Sequence, residues 1–193
     1  MIARRALLAA APALALPAWA ETPWPARLVA AARAQVGRTV LYDPTYVRLA
    51  YPGGDVPIER GVCTDVIIRA YRTAFGLDLQ RLVHEDMARS FAAYPRTWGL
   101  TRPDRNIDHR RVPNLETFLR RKGAAVPLEG AWKAGDLVTQ RLAGNLPHIV
   151  IVAQDGPASA SPRVIHNIGG GARLEPLPSA RNIARFRFAP QPA

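Results

Sequence analysis

A chain of 193 residues with 26 lysines and arginines against 15 acids has a formal charge of +11 and a single cysteine. Its length allows one domain with a sizeable core, and the lone cysteine excludes an intramolecular disulfide framework. No nucleic-acid module is legible despite the charge. No stretch reaches the roughly 18 apolar residues that a membrane span requires. Arginine supplies nearly all the positive charge, Lys122 and Lys133 being the only lysines. Acidic partners in a cell wall or at a membrane surface would account for that balance, and so would a plain compositional bias toward arginine.

In chain order, residues 1–20 read as a secretory signal peptide. Arg4 and Arg5 open it, Leu7 to Leu16 is an apolar run too short to span a bilayer, and Ala18-Trp19-Ala20 is a cleavage pattern. Residues 21–193 then form one domain, and a periplasmic location is expected. Pro25 to Val36 reads as a helix closed by Gly37. Val40 to Gly54 is extended or looped and holds Tyr42, Tyr46 and Tyr51. A helix begins at Cys63, its apolar residues recurring at Val66, Ile67, Ala70, Tyr71, Ala74 and Phe75, with Gly76 as its cap. Asp78 caps a third helix running to about Phe91. Tyr94 to Arg111 is irregular, and Asn114 is expected to cap a short helix that Gly123 stops.

Strands follow at Asp136 to Thr139, at His148 to Val152 (β-branched throughout and buried on both faces) and at Arg163 to Ile168. Weaker strand signals lie at Arg173 to Leu177 and Ala184 to Phe188. Alternation of Arg185 and Arg187 with Phe186 and Phe188 suggests a half-exposed edge. Helices first and an antiparallel sheet second give an α+β fold.

The chemistry concentrates on Cys63. An unpaired cysteine in an exported chain is either a partner for another molecule or a reactive thiol. Unpaired N–H groups and partial positive charge at a helix start stabilise a thiolate; the competing reading is a small buried hydrophobe. A thiol nucleophile needs a base, and the base needs an orienting group. A hairpin centred on Pro157 sets His148 directly opposite His166, on one face of the sheet. Under that register Asn167 points to the other face.

These residues resemble the NlpC/p60-type cysteine peptidases, papain-like hydrolases of bacterial cell-wall peptides. The motifs that carry the resemblance are Tyr51-Pro52-Gly53-Gly54, Val62-Cys63-Thr64-Asp65-Val66, Gly135-Asp136-Leu137-Val138, His148-Ile149-Val150-Ile151-Val152 and Val164-Ile165-His166. More closely, the chain resembles an exported bacterial family called domain of unknown function 1287. Val83-His84-Glu85-Asp86-Met87, Asn106 to Leu115 and His166-Asn167-Ile168-Gly169 carry that second likeness, over roughly residues 27–189.

The resemblance implies a papain-like fold with Cys63 as nucleophile, His148 as base and His166 as its orienting residue. Tyr51 would sit beside the thiol. Beside what the resemblance implies, Thr64, Asp65 and Asn167 are candidate substrate contacts, and Asp108, His109 and Arg110 are secondary candidates in a segment that fits a cover for the cleft, with His109 also an alternative base. For that segment a loop tied down by its own Asp–Arg pairs is the competing reading, and for Asp65 a helix N-terminal charge. The activity so implied is cleavage of amide bonds by a cysteine hydrolase. Its expected partner is a peptidoglycan stem peptide or similar peptide substrate, met by a monomer. No metal or organic cofactor is expected, because no cluster has metal-ligand spacing. A non-catalytic cell-wall or protein-binding module and an acyltransferase stay open on the same residues.

Overall fold

A computed structural model describes residues 22–190, so the expected signal peptide lies outside the described residues. Four helices precede a six-stranded antiparallel sheet, an α+β arrangement. Helix α1 spans Trp24–Arg33, α2 Cys63–Phe75, α3 Leu79–Ser90 and α4 Val112–Arg121. A two-residue parallel pair, β1 (Leu41–Tyr42) and β2 (Arg60–Gly61), lies just ahead of α2. The main sheet comprises β3 (Ala125–Val126), β4 (Leu137–Arg141), β5 (Pro147–Val152), β6 (Arg163–Asn167), β7 (Ala172–Pro176) and β8 (Arg181–Phe186), in the order β3-β8-β4-β5-β6-β7.

The period of each segment explains its place. Val66, Ile67, Ala70 and Tyr71 form the buried stripe of α2 and pack with Leu28 and Ala32 of α1 against Leu137, Ile149, Ile151 and Ile165 of the sheet. Gly76 ends α2 in the left-handed region at φ 68°, where a residue without Cβ meets no steric penalty. The Asp78 side chain caps α3 by accepting from the Gln80 amide. On the opposite face of the sheet, Val138, Val150, Val152 and Val164 pack under Trp132. Strand β5 is thus buried on both sides, as its unbroken β-branched run requires.

Three local expectations are corrected. Helix α4 begins at Val112, not at an Asn114 cap, because Pro113 suits the first turn. The Asn114 amide instead donates to the Asp108 carbonyl, fastening the turn before the helix. Strand β8 is not an edge but lies between β3 and β4. Arg185 in β8 and Arg187 just beyond it tolerate that position because Asp136 neutralises them, at 2.7 Å from Arg185 Nε and 2.8 Å from Arg187 Nε. Finally, Ile151 pairs with Ile165 and Val152 with Val164, a register that sets His166 level with Val150, two residues from the expected partner His148. A two-residue slip keeps every side chain on its face, so the two histidines remain neighbours.

Candidate active site

The segment before α2 is held by two buried arginines. Arg69, inside α2, donates to both oxygens of Asp55 at 2.9 and 3.1 Å and to the carbonyls of Val56, Pro57 and Arg60. Arg110 makes two 3.0 Å bonds to the Asp65 carboxylate and also donates to the carbonyls of Asp43 and Thr45. Asp65 in turn accepts the Val62 N–H at 2.7 Å, satisfying a donor that the helix start leaves unpaired. Thr64 donates its hydroxyl to the Arg110 carbonyl. The Asn167 amide reaches the Gly61 carbonyl at 2.9 Å, tying the end of β6 to the residues that lead into Cys63.

Cys63 is therefore presented at the N-terminus of α2, but it is covered, with only 4% of its surface exposed. The amide N–H groups of Ile149, Thr64 and Cys63 itself favour the thiolate, whereas the Asp65 charge opposes it. Burial outweighs the donors and pushes the thiol up to about 12. The sequence-based expectation of a thiolate stabilised by the helix start is thus corrected for this conformation. Partial charges worth about 1 kcal/mol at a helix end do not offset removal of an anion from water.

The two histidines form a chain with a third residue. His148 Nε2 lies 2.7 Å from His166 Nδ1, and His166 Nε2 lies 2.8 Å from Glu175 Oε1. A carboxylate only accepts, so His166 carries its proton on Nε2 and offers Nδ1 as an acceptor. His148 must then carry its proton on Nε2. Its Nδ1 is left with a lone pair, the form a base needs. Burial, and secondarily the neighbouring His166, pull His148 down to about 3. His166 is also lowered by burial, partly offset by Glu175.

His148 shares a sheet face with Val150, whereas Cys63 packs on the helix side. The sulfur nevertheless meets the amide of Ile149, the residue that follows His148. Thiol and base thus flank the same strand end without a direct hydrogen bond. A cleft of about 260 Å³ opens beside His148, lined by Tyr42, Leu142, Leu146, Pro147 and Ile168 with it, and does not reach Cys63. Tyr42, Leu146 and Ile168 are exposed apolar groups around it.

Of the expected site residues, the structure joins His148 to His166 directly; Cys63 meets β5 at the Ile149 amide but packs on the other face of the sheet from His148, and among the described residues it makes no hydrogen bond to either imidazole, which corrects the expected direct pairing of thiol and base. Thr64, Asp65, Arg110 and Asn167 are corrected from substrate contacts to internal fastenings, each buried with its hydrogen bonds made inside the chain. Asp108 is fully buried and accepts from the Asp104 amide; His109 is 2% exposed with Nδ1 unpaired. Neither side chain covers a cleft.

Tyr51 is not beside the thiol. Its ring meets His84 edge-on at 5.2 Å and lies under the Arg105 guanidinium. Tyr42 is the tyrosine whose ionisation feels Cys63, second only to burial. Glu175 and Tyr42 are not legible as site residues in the motifs. A hairpin about Gly169-Gly170 would reveal Glu175, since β7 pairs Glu175 with Val164 and so sets it on the face of His166.

These buried groups make stability pH-dependent. Burial pulls His109 as well as His148 down to about 3, and pushes Asp108 up to about 6. Below about pH 6.5 the unfolded chain binds protons on both histidines and the folded chain does not. Asp108 acts oppositely: its contribution is present below its unfolded pKa and lost as pH rises through 6. Between pH 6 and 4 these three groups leave the unfolded chain ahead by one proton. Stability should fall there by about 1.4 kcal/mol per pH unit. Urea midpoints at pH 6, 5 and 4 check this, and a midpoint that holds or rises toward acid contradicts it.

The fold and this arrangement define an α+β protein with a cysteine at a helix start and a histidine relay on its sheet. The chain belongs to the family described as Domain of unknown function (DUF1287), whose model matches residues 29–188. It is 53% identical over 161 residues to the Uncharacterized protein YijF of Escherichia coli (strain K12), covering 81% of this chain and 78% of that one. No solved structure matches it. Among the described residues no helix is long and apolar enough to cross a membrane, and no group of three or more His, Cys, Asp and Glu is placed to hold a metal ion.

Proposed function

We propose that this protein is a papain-like cysteine hydrolase of amide bonds, acting on peptidoglycan stem peptides in the periplasm. The observation that carries the reading is the Glu175–His166–His148 chain. Its hydrogen bonds leave the His148 Nδ1 lone pair free, and the Cys63 sulfur meets the backbone amide of the next residue, Ile149. An orienting carboxylate, two imidazoles and a thiol supply the parts of a nucleophile–base–orienter system.

In the proposed reaction the substrate carbonyl enters the cleft beside His148, and the Cys63 sulfur leaves its buried position to come within reach of the imidazole. His148 Nδ1 takes the Cys63 proton as sulfur bonds to the carbonyl carbon. Backbone N–H groups at the start of α2 face the developing oxyanion. The C–N bond then breaks and His148 returns the proton to the leaving amine. Water attacks the thioester, giving its proton through His148 to the departing sulfur. The resting thiol, held protonated by burial, makes this a general-base reaction rather than attack by a preformed thiolate.

Purified sacculi incubated with the mature protein provide the test. Products heavier by one water, with a new amine and carboxylate, are expected. Loss of them in Cys63→Ala, with retained folding, supports the reading. Equal release by Cys63→Ala, or no release by the unaltered protein, overturns hydrolysis at this site and favours a binding role for the covered cysteine.

A further inference from the structure

A second cavity is more than twice the volume of the cleft beside His148. It lies between the loop after β1 and the loop before α4, has a volume of about 590 Å³, and is lined by Arg48, Arg102, Arg105, His84, Tyr46 and Asn106 among others. Small-molecule sites span roughly 300–1,000 Å³. Its two walls are fastened together: Tyr46 donates its hydroxyl to Asp104 at 3.0 Å, and Asn106 accepts the Leu49 amide at 3.0 Å. The cavity is therefore built into the fold rather than left between free loops.

Its charge is one-sided. Among the described residues no carboxylate lies within ion-pair distance of Arg48, Arg102 or Arg105, unlike Arg69, Arg110, Arg121 and Arg185. Asp104 is the one acid on the wall, and its oxygens already accept from Tyr46 and from the Asn106 amide and backbone. His84, also on the wall, is held toward its neutral form, first by burial and then by the Arg105 charge. Three arginines lining one concavity repel one another unless an anion joins them. Their planar forks match the two oxygens of a carboxylate or phosphate group.

We propose that this pocket binds a small organic anion carrying at least two carboxylate or phosphate groups. Its volume exceeds what a single inorganic phosphate fills, and three arginines along its wall suit separate charged ends of one ligand. The assignment is independent of the chemistry at Cys63.

Titration calorimetry with citrate and with pyrophosphate tests it, the two arms distinguishing carboxylate from phosphate recognition. Saturable one-to-one binding of either anion is expected, weakened at least 10-fold by Arg102→Gln or Arg105→Gln and unchanged by Cys63→Ala. The arginines are exposed, so these variants should melt like the parent. Absence of saturable binding in both arms overturns the proposal, as does binding that the arginine variants leave intact. Loss of activity at Cys63 with anion binding retained would separate this site from the proposed hydrolase.

Discussion

Asp65→Ala is expected to lower folding stability by about 3–5 kcal/mol, the range found when one partner of a buried ion pair is removed. The side chains of Asp65 and Arg110 are 3% and 2% exposed. Alanine would leave the guanidinium buried with only the carbonyls of Asp43 and Thr45, and would free the Val62 N–H. The same change loosens the segment that carries Tyr42, because Arg110 is what pins Asp43 and Thr45 beneath it. Faster alkylation of Cys63 in mild urea should therefore accompany the lowered midpoint. An Asp65→Leu, Arg110→Met double variant, which removes both charges, should cost much less than the two single losses added together. A loss below about 1 kcal/mol for Asp65→Ala would contradict the account.

The contrast between Asp65 and His148 shows what the sequence makes legible. Hydrophobic period and breaker residues place α2, the Gly76 cap and the doubly buried β5, because those features are local. Face-sharing by His148 and His166 is legible through parity alone, so it survives the shift that sets His166 level with Val150. Long-range pairing is a different matter. Asp65 and Arg110 are 45 positions apart, and nothing in either motif says that each satisfies the other. Polar residues flanking a nucleophile read equally as substrate contacts or as fastenings. Here burial decides for fastenings, while Arg48, Arg102 and Arg105 line a cavity elsewhere. The thiol shows the same limit: a helix start is visible in sequence, but the core that closes over Cys63 is assembled from Ile149 and other distant residues.

His148→Ala should lower kcat/KM on a wall peptide by about 10³-fold, within the 10²–10⁴ range of positioned acid–base groups. The relay behind it should be separable by pH. His148 is held at about 3 and Cys63 at about 12, so the productive pair of thiol and neutral imidazole persists across the whole interval. The kcat/KM profile of the unaltered protein should therefore be flat through the neutral range, with no acid limb near 6.5. Glu175→Gln leaves a group that can donate as well as accept, so His166 is no longer confined to the tautomer that receives the His148 proton. That variant should lose about 10–100-fold in kcat with little change in KM, because in the proposed reaction Glu175 acts through His166, which orients the base. Glu175→Asp, which restores a carboxylate at shorter reach, should recover part of the loss. A bell-shaped profile with an acid limb at an ordinary histidine value would show instead that a preformed thiolate–imidazolium pair does the work. That result would require the sulfur to leave its buried position before substrate arrives.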